Sequence, residues 1–101
     1  MSRRGSRAEL PVEVEILKEK ASALGRVGER LDASLARLAA LAARIAEAGP
    51  EARAVLVQEY RAERARAREL RYYLVVQREA IGLRRHADVD RAYPLPPDIP
   101  E

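Results

Sequence analysis

From Leu17 to Ile45 a large aliphatic residue returns at every seventh position: Leu17, Leu24, Leu31, Leu38 and Ile45. Val14, Ala21, Gly28, Leu35 and Ala42 hold the second position of the same repeat. An apolar stripe kept up at this spacing needs a long helix packed lengthwise against another helix, because the seven-residue period holds the stripe on one side of the helix. Pro11 suits the first turn of such a helix, where its missing N–H has no intrahelical bond to make. The repeat therefore predicts a first helix over about 10–48. Gly25 and Gly28 each cost it about 1 kcal/mol relative to alanine, which close approach of a neighbouring helix would justify.

Gly49-Pro50 ends this helix and begins the next, with glycine just past the stop and proline just inside the start. A connection this short forces the two helices to run antiparallel. The second helix then extends over about 50–86. Pairing about the turn gives partners whose numbers sum to about 98: Leu17 with Ile81, Leu24 with Leu74, Leu31 with Ala67, Leu38 with Tyr60. The second set pairs Gly28 with Leu70 and Leu35 with Glu63. Large residues mostly meet small ones, as interdigitated packing requires. The fold class expected is all-α, an antiparallel two-helix hairpin of coiled-coil type with an extended Pro-rich tail.

Both ends of the chain break the pattern. Residues 1–9 are small, polar and basic without periodicity and read as a disordered tail. Residues 87–101 read as a short turn, with Asp88 a candidate helix cap, followed by an extended tail. In Tyr93-Pro94-Leu95-Pro96-Pro97-Asp98-Ile99-Pro100 each proline excludes helix and biases the residue before it toward polyproline II or β. Such a segment serves either as a docking peptide for an aromatic-lined groove or as a cap on its own hairpin.

On the hairpin one group of apolar residues finds no place in the seam. At 100° per residue, Tyr72, Tyr73, Val76, Ala80 and Leu83 fall opposite the seam of the second helix. Val12, Ile16, Ala23 and Val27 form a stripe beside the seam of the first. Antiparallel pairing collects both groups at the open end, away from Gly49. Alanine dominates an apolar fraction of 48%, with no Phe, Trp or Cys, so a two-layer hairpin buries little at about 25 cal/mol per Å². An uncovered apolar end then predicts an interface made of Val12, Ile16, Val27, Tyr72, Tyr73, Val76, Ala80 and Leu83. A homodimer forming a four-helix bundle is the first expectation, a different protein partner the second, and coverage by Tyr93, Leu95 and Ile99 of the tail the third.

The 101 residues carry 19 basic and 16 acidic side chains, a net charge of +3, interleaved as on a solvated helical face. One basic stripe stands out: Arg61, Arg64, Arg68 and Arg71, three or four apart on the second helix. It supports the alternative reading, a small nucleic-acid-associated protein that contacts phosphates through this stripe and the N-terminal arginines. Ion pairing within the chain or between subunits is the competing use.

Other chemistries lack their residues. Without cysteine there are no disulfides or thiolate nucleophiles, which fits a reducing cytoplasm. The single histidine, His86, beside Asp88 and Asp90 offers too few ligands for a closed metal site. Ser22 and Ser34 have no base to activate them, no glycine-rich phosphate loop is present, and a two-helix rod has no cleft for paired carboxylates. The expectations are no enzyme, no cofactor and no metal. With no apolar run long enough to span a membrane, the expected location is the cytoplasm.

Overall fold

In the computed structural model, which describes residues 3–99 with side chains from Pro11 onward, the chain forms α1 (Arg3–Glu47), α2 (Pro50–Ala80) and α3 (Ala87–Ala92). No strand occurs among the described residues. α1 and α2 pack antiparallel as the repeat predicts. Gly49 is extended at φ −75° and ψ 174°, and its carbonyl accepts the first bond of α2 from the Arg53 N–H at 2.8 Å. Pro50 follows as the first helical residue, where its φ is already set for the helix.

Two boundaries differ from expectation. α1 begins at Arg3 rather than near Leu10, so residues 3–9 are helical and Pro11 lies inside the helix. There its missing N–H removes the bond to the Arg7 carbonyl. Met1 and Ser2 lie outside the described residues. α2 stops at Ala80, well short of 86, because Gly82 takes the left-handed φ of 94°. The Gly82 N–H then bonds the Glu79 carbonyl at 3.0 Å and the Leu83 N–H bonds the Arg78 carbonyl at 2.9 Å. This reciprocal pair satisfies the last free carbonyls and turns the chain away from the helix axis. Leu83 therefore lies beyond the helix and not on its outer face.

The core runs along the seam. Leu31, Leu38 and Ile45 of α1 are buried with Leu56, Val57, Tyr60, Ala67 and Leu74 of α2. Ser34, wholly buried, donates to Glu63 Oε2 at 2.5 Å. Those two numbers sum to 97, one off the expected register. Val27, expected on the outward stripe, is 5% exposed and belongs to this core. It stands one helical turn before Leu31 on the same face, and α3 adds Val89 to the same cluster.

The helices are unequal in length, and this shapes the molecule. The rod measures 72 × 19 × 15 Å. At 1.5 Å per residue the 45 residues of α1 span nearly all of it, whereas the 31 of α2 do not. About 14 residues of α1, roughly 20 Å, run past the end of α2. Leu17 and Val14, the first seam residues, are consequently 54% and 43% exposed.

Candidate interaction surface

After α2 the chain doubles back. α3 lies against α2, fixed by Arg78, whose Nη2 donates to the Arg85 carbonyl at 3.0 Å and to both oxygens of Asp88 at 3.2 Å. Arg78 Nε approaches His86 Nδ1 at 3.4 Å, and His86 Nε2 lies 3.1 Å from Glu79 Oε2. The ring thus sits between a guanidinium on its Nδ1 side and a carboxylate on its Nε2 side. His86 itself precedes the first turn of α3; Asp88 lies within that turn, its carboxylate accepting from the Val89 N–H rather than capping the helix.

Residues 93–99 then run extended down the groove between α1 and α2, toward the loop. Prolines at 94, 96 and 97 have no N–H, so this strap is rich in acceptors and poor in donors. α2 supplies the donors. Arg71 Nε bonds the Tyr93 carbonyl at 3.1 Å, Arg64 Nε the Pro96 carbonyl at 2.8 Å, Tyr60 Oη the Pro97 carbonyl at 2.9 Å and Arg61 Nη2 the Ile99 carbonyl at 2.7 Å. The carbonyls of 93, 96 and 99 are three apart, the period at which an extended Pro-rich segment returns to one face. Arg71 also pairs with Asp90, and Arg61 Nε lies 3.4 Å from Asp98.

On the α1 side the strap needs Gly28, which is buried: a Cβ there would stand 2.6 Å from Tyr93 Oη. Gly25, one turn earlier, has nothing within 4 Å of the same position. Tyr93, Leu95 and Ile99 are half-buried against the core.

The basic stripe thus has a structural occupation. Arg61, Arg64 and Arg71 direct donors at the strap, leaving Arg68 exposed on the surface. The acids that complement the stripe are Asp90 and Asp98 of the C-terminal segment. Sequence reasoning found the stripe but missed its complement. The signal was present, since a row of guanidiniums and a segment stripped of N–H groups are complementary in donors and acceptors.

Nearer the loop, Glu63 joins the two helices electrostatically. Its Oε2 accepts from Arg37 Nη2 at 3.0 Å and from Ser34, with Arg66 at 3.8 Å. The Arg37 bond holds the Glu63 carboxyl below the ordinary carboxylate range, against the opposing effect of burial; Ser34 and Arg66 add to it. The same bond raises the pKa of Arg37.

What the strap leaves bare is the open end. Tyr72, Tyr73 and Val76, on the back of α2, are 72%, 49% and 38% exposed. Ala80 is exposed beside them. Val12 and Ile16 on the overhang of α1 are exposed, as is Leu83 after the helix end. Among the described residues only one large exposed apolar side chain, Val55, lies toward the loop. Of the eight residues assigned to the interface, Val27 alone is in the core. The tail was expected, if it folded back, to cover this patch; it fills the groove instead.

Fold and surface together define a strapped helical hairpin with an uncovered apolar end. The chain belongs to a family of unknown function, DUF6665, whose model matches residues 3–100 and so takes in the overhang, both helices and the strap. No curated protein and no solved structure matches it. No helix among the described residues is long and apolar enough to cross a membrane.

Proposed function

We propose that this protein is a non-enzymatic interaction or assembly module, working through the apolar surface at the open end of its hairpin and pairing first with itself as a homodimer. One observation carries the reading: with the tail already folded onto the hairpin, Val12, Ile16, Leu17, Tyr72, Tyr73 and Val76 all remain exposed, on the half of the rod away from the loop. Large apolar side chains left bare on the half of a small rod away from its loop are the mark of an interface. The two exposed tyrosines fit this, since tyrosine combines large contact area with a polar tip. His86, the single histidine of the sequence, has its ring nitrogens facing Arg78 and Glu79. The nucleic-acid alternative loses its main support, because three of the four stripe arginines bond the strap.

The test is solution mass. The wild-type chain should sediment as an assembly, and Tyr73→Lys with Val76→Lys should convert it to a monomer of unchanged helicity. A wild-type monomer that the double substitution leaves unaltered in mass and in partner capture would overturn the proposal.

A further inference from the structure

Two bare surfaces of matching character stand at the open end. One is the seam of α1 itself, which continues through Leu17 and Val14 after α2 has ended. The other is the back of α2 over its last turns, bearing Tyr72, Tyr73, Val76 and Ala80. They cannot cover each other within one chain: the overhang lies beyond α2, and the back of α2 faces away from α1.

We propose that a second copy of this chain covers both, related by a two-fold axis across the rod just beyond the ends of the two α2 helices. The overhang of each α1 then lies parallel to the other copy's α2, its seam against the back of that helix. The two α2 helices meet end to end at the axis, between the two α1 helices. The inference rests on the self-association proposed above and specifies its geometry.

Three features support this occupant. The first is continuity: one stripe on α1 packs on its own α2 and, without changing face, on the partner's. The second is length. The overhang of about 14 residues spans roughly 20 Å, enough to reach from the axis past Tyr72, eight residues before the end of α2. The third is charge. Glu13 and Glu15 of the overhang come near the axis, where the partner presents exposed Arg84 and Arg85. The strap, seated in the groove between α1 and α2, leaves both surfaces clear, and exchanging them through a two-fold makes the interface self-complementary.

The chain has no cysteine, which makes the arrangement directly testable. Val14→Cys and Val76→Cys are prepared as separate full-length proteins, one isotopically labelled, then mixed and oxidised. The proposed geometry predicts that the mixed disulfide dominates over either symmetric one by severalfold, since a bridge needs Cα atoms within about 7 Å. A dimer yielding chiefly Val14→Cys or chiefly Val76→Cys symmetric bridges would overturn the arrangement while leaving self-association standing. A monomeric mass with no bridging would overturn both.

Discussion

Gly25 and Gly28 stand one turn apart on the same helix, yet their surroundings give them opposite expectations. At Gly25 a methyl group meets nothing within 4 Å, so Gly25→Ala should stabilise the protein by about 1 kcal/mol through helix propensity alone. At Gly28 the same methyl would collide with Tyr93 Oη, and Gly28→Ala should destabilise by about 1–3 kcal/mol as the strap is displaced. Denaturant unfolding of the two variants beside wild type checks both signs. Glu63 gives a pH dependence. Its folded pKa lies below its unfolded value, so its contribution is fully present above the ordinary carboxylate pKa near 4.5 and is lost as pH falls through the depressed value. Glu63→Gln should cost about 1.5 kcal/mol at neutral pH and flatten the acid limb of the stability profile. An unchanged acid limb would show that Glu63 does not couple the helices in this way.

At the scale of the element, the strap is the third layer of a molecule whose sequence advertises only two. It is held by side-chain donors aimed at backbone acceptors, a pattern forced by proline, which leaves an extended chain carbonyls to satisfy but few N–H groups to pair. Arg64→Ala and Tyr60→Phe should each lower stability by about 1 kcal/mol. Truncation after Ala92 should cost more than either, because it also strips Tyr93, Leu95 and Ile99 from the core. Thermal melts of the three variants, with helicity followed by circular dichroism, test the ranking; a truncated chain as stable as wild type would show that the strap contributes nothing. The other element-scale device is the end of α2. Gly82 at φ 94° sets where the helix stops, and therefore how much of α1 is left without a partner helix.

For the whole molecule the consequence is a rod with one finished end and one unfinished end. Self-association of the kind proposed would make the melting temperature depend on concentration, since a dimer draws the folded state forward by mass action. Raising the protein concentration a hundredfold should raise the wild-type midpoint by several degrees and leave the Tyr73→Lys, Val76→Lys double variant nearly unmoved. A wild-type midpoint independent of concentration would count against assembly through the open end.

The hairpin was legible in the chain because its determinants are local or periodic: the heptad positions from Leu17 to Ile45, the Gly49-Pro50 turn, and a register that follows from the shortness of that turn. The open-end surface was legible for the same reason, since helical spacing alone puts Tyr72, Tyr73 and Val76 opposite Leu74. Three features depended on the third dimension. Val27 is buried, the stripe arginines face the Pro96 and Ile99 carbonyls, and Gly28 gives Tyr93 its seat; each is a contact between segments far apart in sequence. Periodicity describes one face of one helix at a time, and it carries no record of which distant segment will lie against the other faces. By itself the sequence determined two antiparallel helices and their seam. Where the seam outruns its partner, and what the arginines hold, only the tertiary structure decided, because both depend on the reversal at Gly82 that carries the tail back along the groove.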